Sequence, residues 1–138
     1  MAEKITLELV TPYRKVLTEE VDEITATGAL GEFGVLPGHA PLLSSLRIGE
    51  LSYKKGGAVS HLALNWGYLE VKDDKAIVLV ETAERADEID FQRAKAALGR
   101  AEEALKKLTI EDKDYRVMEA ALERATIRMQ VASKAARK

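Results

Sequence analysis

Glycine and proline run out at one place in this chain, and alanine takes over. Eight of the nine glycines and all three prolines lie before residue 88, whereas eleven alanines lie after it. Gly and Pro punctuate turns, and Ala is the strongest helix former. The two stretches therefore call for different fold types, with a structural boundary near Asp87–Asp90. Charge divides at the same point. Residues 1–88 hold nine Lys+Arg against fifteen Asp+Glu, a net −6, and residues 89–138 hold twelve against eight, a net +4. The junction, Glu84 to Glu88, is short and polar and contains no Gly/Ser linker, so the two parts should be close neighbours.

Residues 1–88 read as strands. Ile5, Leu7 and Leu9 alternate with Thr6 and Glu8, the period of a half-buried strand. Val21–Thr27 is rich in β-branched residues, and Leu62, Leu64 and Trp66 alternate with His61, Ala63 and Asn65. Gly56-Gly57 and Lys72-Asp73-Asp74 separate apolar runs as hairpin turns do. Short strands with turn signals about every ten residues predict an antiparallel β-sandwich or barrel.

Residues 89–138 read as two helices. Phe91, Ala94, Leu98, Ala101, Leu105 and Leu108 follow a 3-4 spacing, and Tyr115, Met118, Leu122, Ala125, Met129 and Ala132 repeat it. Thr109–Lys113 interrupts the pattern. Asp90 is placed to cap the first helix, and Asp112 or Asp114 the second. Glu102–Lys106 and Glu103–Lys107 are candidate i,i+4 pairs. The expected arrangement is an antiparallel hairpin. Its seam is rich in Ala, and each methylene not buried forgoes about 0.8 kcal/mol. Such a hairpin should be marginal unless a ligand, the sandwich or another subunit holds it. It then has two readings: a stable appendage, or an element with two states.

Several classes of function are excluded. The chain has no Cys, which removes disulfides, thiolate zinc sites and iron–sulfur clusters, and its two His argue against a His-rich metal site. A formal charge of −2 over 138 residues argues against a general nucleic-acid binder. No stretch approaches the roughly 20 apolar residues of a membrane helix, and the beginning of the chain lacks the pattern of a signal or transit peptide. Apolar content of 46% fits a soluble globular protein. No nucleophile–base constellation, P-loop or metal motif appears. His39 sits in a turn context and His61 in a strand. Gly28, Gly31, Gly34 and Gly38 lack the Lys-Ser/Thr of a phosphate loop and read as sharp turns.

The arginines are more informative. Arg124 and Arg128 lie four apart with no acid three or four residues away, so the pair would gain from an anion. Arg93 and Arg100 share a face of the first helix. A closed hairpin could converge these guanidinium groups on a phosphate. The alternative is ordinary solvated helix faces.

The segment Gly31-Glu32-Phe33-Gly34-Val35-Leu36-Pro37-Gly38-His39-Ala40-Pro41-Leu42-Leu43 resembles the signature loop of the ATP synthase epsilon subunit, F-type, of bacterial or chloroplast type. Gly67–Val71 and Val78–Arg85 resemble the end of that subunit's sandwich, and Ile89-Asp90-Phe91-Gln92-Arg93-Ala94 its nucleotide motif. Trp66 departs from the pattern, since many members carry Gly there.

The resemblance implies a non-catalytic rotor-stalk subunit of the proton-translocating synthase, peripheral on the cytoplasmic face of a bacterial membrane. Its sandwich, residues 1–88, would bind the gamma subunit and the c-ring, with Glu32 and His39 facing them. Its hairpin, residues 89–138, would be regulatory: folded beside the sandwich, or extended into the catalytic head, where it hinders ATP hydrolysis. No cofactor is required, but a regulatory ATP would bind through Glu84, Ile89, Asp90, Arg93, Ala94 and Arg100, with Arg124 and Arg128 from the second helix. Two other readings stand beside it. One is a free-standing ATP-sensing protein that uses the same hairpin; the other is a small hydrolase centred on His39.

Overall fold

The computed structural model describes residues 3–135; the outer ends of the two expected parts, residues 1–2 and 136–138, lie outside the described residues. Ile5, Leu7 and Leu9 are fully buried and their neighbours half-buried, so the period-2 pattern does become strand β1, Ile5–Val10. Seven strands follow: β2 Lys15–Val21, β3 Glu23–Gly28, β4 Gly31–Val35, β5 Leu42–Leu46, β6 Gly49–Lys55, β7 Ala58–Lys72 and β8 Lys75–Arg85. Their order is β2-β1-β8-β7-β5-β3-β4, with β6 beside β3 and β7. The result is a β-sandwich whose core is mainly Ile, Leu and Val, with Ala26, Tyr53, Ala76 and Ala83 among them.

The turns form where the sequence places them. Asp73 and Asp74 both have positive φ, 51° and 58°, and close the β7–β8 hairpin between Lys72 and Lys75. Pro37 and Gly38 form a β-turn closed by His39 N–H to Leu36 O at 3.0 Å, with Gly38 at φ 84° in the position that needs it. The same Gly38 N–H donates to Asp74 Oδ1 at 2.6 Å, which ties the signature loop to the β7–β8 turn.

Three features depart from the sequence reading. One ladder, β1 with β8, is parallel. A parallel neighbour needs a long crossover, and here the crossover is the rest of the sandwich. The stretch Val21–Thr27 is not one strand, because Asp22 breaks it. Its N–H donates to Lys54 O at 2.7 Å, and its carboxylate accepts Gly56 N–H at 2.9 Å and pairs with Lys4. Lys4 first, and the Gly56 N–H after it, hold the Asp22 carboxyl below its ordinary value.

The third departure is in β7. Leu62 and Leu64 point into the core, but so do Leu69 and Val71, so the inward face changes from even to odd residues. The change falls at Gly67. A Cβ there would lie 1.9 Å from Leu79 O and 2.7 Å from Val80 Cα. The backbones of β7 and β8 meet at this corner, and β7 passes from pairing with β6 to pairing with β5. Trp66, which continues the alternation of Leu62 and Leu64, is consequently 48% exposed.

After β8 a single 3₁₀ turn, Ala86–Glu88, leads to two helices, α1 Phe91–Lys106 and α2 Tyr115–Ala135. Asp90 caps α1, its Oδ1 accepting Arg93 N–H at 3.1 Å. Asp112 does not cap α2. Its carboxylate turns back to accept Thr109 N–H at 2.7 Å and closes the connection between the helices. Lys106 pairs with Glu103 at 3.2 Å, three residues away rather than the expected four. In the seam, Ala94, Ala101, Ala125 and Ala132 are buried, while Leu98, Leu105, Met118, Leu122 and Met129 are only half-buried. The alanines let the two backbones approach, and the larger side chains straddle the contact.

Candidate functional site: the seam between sandwich and hairpin

Helix α2 has a second buried face that the heptad reading does not show. Val131 is fully buried and packs with Ala63 of β7, Ile89 and Ala132, with Ile127 and Ala86 beside them. Ile127 and Val131 are four apart, hence one above the other on the helix. A signal was present in the sequence: Ile127 and Val131 are β-branched residues one turn apart, outside the 3-4 seam. A hairpin with a single seam has no use for them.

Beside this apolar contact runs a narrow groove of about 40 Å³ between β7, β8 and α2. Glu84, Arg124 and Arg128 line it, with Asn65 and Thr82 from the strands. Arg128 Nε donates to Glu84 Oε1 at 2.8 Å and its Nη2 to Oε2 at 3.2 Å. This is a bidentate pair across 44 residues of sequence, with both side chains about one-third exposed. The anion that the Arg124–Arg128 spacing lacks locally is supplied, for Arg128, by the sandwich. Arg124 forms no ion pair among the described residues and lines the groove. Asn65, 8% exposed, is a buried polar side chain whose Oδ1 has no hydrogen-bond partner among the described residues.

The remaining expected nucleotide residues lie apart from this groove. Asp90 is engaged as the α1 cap, and Ala94 is fully buried in the helix seam. Ile89 is part of the apolar contact under α2. Arg93 and Arg100 are exposed on α1 and do not line the groove. The structure thus brings Glu84, Arg124 and Arg128 together and leaves Arg93 and Arg100 facing solvent.

The expected partner residues sit elsewhere on the sandwich. Glu32 is exposed on β4, which ends the strand order, and β4 follows a hairpin tip where Leu30 is fully exposed. His39 is half-buried in its turn, Nδ1–H donating to Ala40 O at 2.6 Å. An apolar surface that sequence reasoning missed lies on the outer face of β5, β7 and β8. Tyr68 is 59% exposed, opposite Leu79 at 52%, with Leu43 and Trp66 also exposed. The face change at Gly67 puts Trp66 and Tyr68 outside, and Gly after Trp in an alternating run was its only sign.

A β-sandwich carrying a helical hairpin, docked through an apolar strip and ion pairs, defines a two-part interaction module. Two sequence models of one family cover it: the ATP synthase delta/epsilon chain β-sandwich domain over residues 4–86, and the delta/epsilon chain long α-helix domain over residues 87–133. An ATP synthase epsilon chain of Geobacter sulfurreducens is 80% identical over 138 residues, all of both chains. One of Geotalea daltonii is 78% identical over the same span. A chain in a Euglena gracilis mitochondrial ATP synthase structure, described as OSCP/F1/c-ring, superposes with a TM-score of 0.78 at 28% identity, covering 96% of this chain and 81% of that one. The chain belongs to the ATP synthase epsilon chain family. Epsilon chains are non-catalytic subunits of the synthase, so the hydrolase reading centred on His39 falls. Among the described residues no helix is long and apolar enough to cross a membrane.

Proposed function

We propose that this chain is a rotor-stalk subunit that couples the catalytic head to the c-ring and regulates ATP hydrolysis through its C-terminal helices. In this reading residues 1–88 hold the gamma subunit and the c-ring, on the cytoplasmic face of the bacterial membrane. The exposed Leu43, Trp66, Tyr68 and Leu79, with the edge carrying Glu32 and the turn carrying His39, are the surfaces available to them. A sensor that worked alone would have no need of that apolar face. The similar Euglena chain comes from an assembly that includes F1 and the c-ring, which supports the same partners.

The observation that carries the regulatory part is how α2 is held. Its docking rests on small apolar residues and on half-exposed ion pairs, Glu84–Arg128 chief among them. Such pairs contribute about 0.2–1 kcal/mol each, so the docked state is one that a ligand or partner can outbid. In the same reading ATP is held by Arg124 and Arg128 in the groove beside Glu84, with Ile89, Asp90, Arg93, Ala94 and Arg100 brought to it by a shift of α1, and it favours the folded hairpin; the extended form would enter the catalytic head. A ligand at 100 times its dissociation constant shifts such an equilibrium by about 2.7 kcal/mol if it binds one state alone.

Two measurements test this. Reconstitution with gamma and the catalytic head should give a stable complex whose ATPase rate changes when residues 89–138 are removed; no complex and no change would end the reading. Calorimetric titration of the isolated chain with ATP should give saturable binding that Arg93→Ala and Arg128→Ala weaken. Equal binding in all three proteins would remove the nucleotide site.

A further inference from the structure

Among the described residues three ion pairs cross from the sandwich to α2 along its docking face. Arg47 meets Glu123 at 3.5 Å, Glu84 meets Arg128 at 2.8 Å and Glu50 meets Lys134 at 2.5 Å. The last differs from the others because Glu50 is shared. Its Oε1 takes Lys134 Nζ, while its Oε2 lies 2.8 Å from His61 Nδ1. Glu50 is on β6, His61 on β7 and Lys134 in the last turn of α2. The three side chains are 21%, 24% and 38% exposed, so they are partly shielded from water. Val131, fully buried, lies one turn before Lys134.

We propose that Glu50, His61 and Lys134 form a proton-sensitive latch that loosens the end of α2 when His61 becomes charged. It rests on the reading that α2 can leave the sandwich. A neutral imidazole donates Nδ1–H to Glu50 and leaves the carboxylate's charge to Lys134. Once protonated, the imidazolium and the ammonium share one carboxylate and repel each other. That repulsion exists only while α2 is docked, so acid favours release. Imidazole is the side chain whose charge ordinarily changes between pH 5 and 8. Tyr53 of β6, Arg85 at the end of β8 and Asp87 of the 3₁₀ turn line the same cavity as His61 and Lys134. Arg85 donates to Val16 O and pairs with Glu88, so its charge stays beside His61 when α2 leaves, and Asp87 is of opposite sign.

The absence of Cys makes a direct test simple. Spin labels at Thr18→Cys and Gln130→Cys, both exposed, report the distance from sandwich to α2 in the full chain. The undocked population should rise about two- to five-fold from pH 8 to pH 5.5, the worth of one half-exposed ion pair. His61→Gln should abolish that pH response and stay docked. Lys134→Gln should raise the undocked population at both pH values and flatten the response. An undocked population that responds to salt but not to pH, or a pH response that survives His61→Gln, overturns the latch and leaves the mobile hairpin standing. If even the Glu50→Gln, Glu84→Gln double variant never undocks, both fall.

Discussion

The guanidinium of Arg128 grips the carboxylate of Glu84 with two hydrogen bonds, 2.8 and 3.2 Å, and so joins the second helix to the last strand of the sandwich. Removing either partner leaves the other without its counter-charge at a half-buried seam. Arg128→Ala and Glu84→Ala should each loosen α2, and a double-mutant cycle should show a coupling of about 1 kcal/mol. Hydrogen exchange of α2 amides, faster in both variants with the sandwich unchanged, is the readout. Coupling near zero would show that the pair adds nothing to docking.

Val131 is the apolar plug of the same contact, fully buried against Ala63 and Ile89. Val131→Ala removes two methyl groups' worth of burial and should cost about 1.5–2.5 kcal/mol of docking. Limited proteolysis should then cut within the hairpin first, while the sandwich resists.

Gly67 marks where β7 and β8 meet, and a Cβ there would fall 1.9 Å from Leu79 O. Gly67→Ala should destabilise the sandwich by about 3 kcal/mol in urea unfolding. Gly57→Ala is the control: nothing lies within 4 Å of its Cβ, so the change should be within about 0.5 kcal/mol of neutral. Equal effects at the two positions would contradict the corner.

Asp22 gives the sandwich an acid-sensitive tie. Lys4 and the Gly56 N–H hold its carboxyl below the ordinary 3.8. Its contribution is therefore complete above that value and is lost as the pH falls through the lower, folded one. Asp22→Asn should lower the melting temperature at neutral pH, and the difference from wild type should shrink as the pH drops below about 4. A difference that did not change with pH would assign the loss to the turn geometry rather than to charge. Lys55 behaves in the opposite sense: Glu19 at 2.5 Å raises its value above 10.5, so that tie is lost only as the pH rises through the folded value.

Local rules sufficed wherever a residue's neighbours in sequence were also its neighbours in space. The alternation of Ile5, Leu7 and Leu9, the cap at Asp90, the Asp73–Asp74 turn and the helical state of α1 and α2 all answer to interactions within a few residues. The Gly-to-Ala change near residue 88 marked where strand gives way to helix, and the strings around Glu32–His39 and Ile89–Ala94 carried the family. What stayed hidden was long-range. The inward face of β7 changes because two backbones touch at Gly67 and Leu79. The parallel β1–β8 pair forms because the whole sandwich serves as its crossover. Arg128 seemed to lack an anion because its partner, Glu84, is 44 residues away, and Lys134 and His61 are joined only through Glu50. A helix turn advertises its contacts by periodicity; a contact between elements depends on how the sheet twists and where the helix lands, and only the folded chain fixes that.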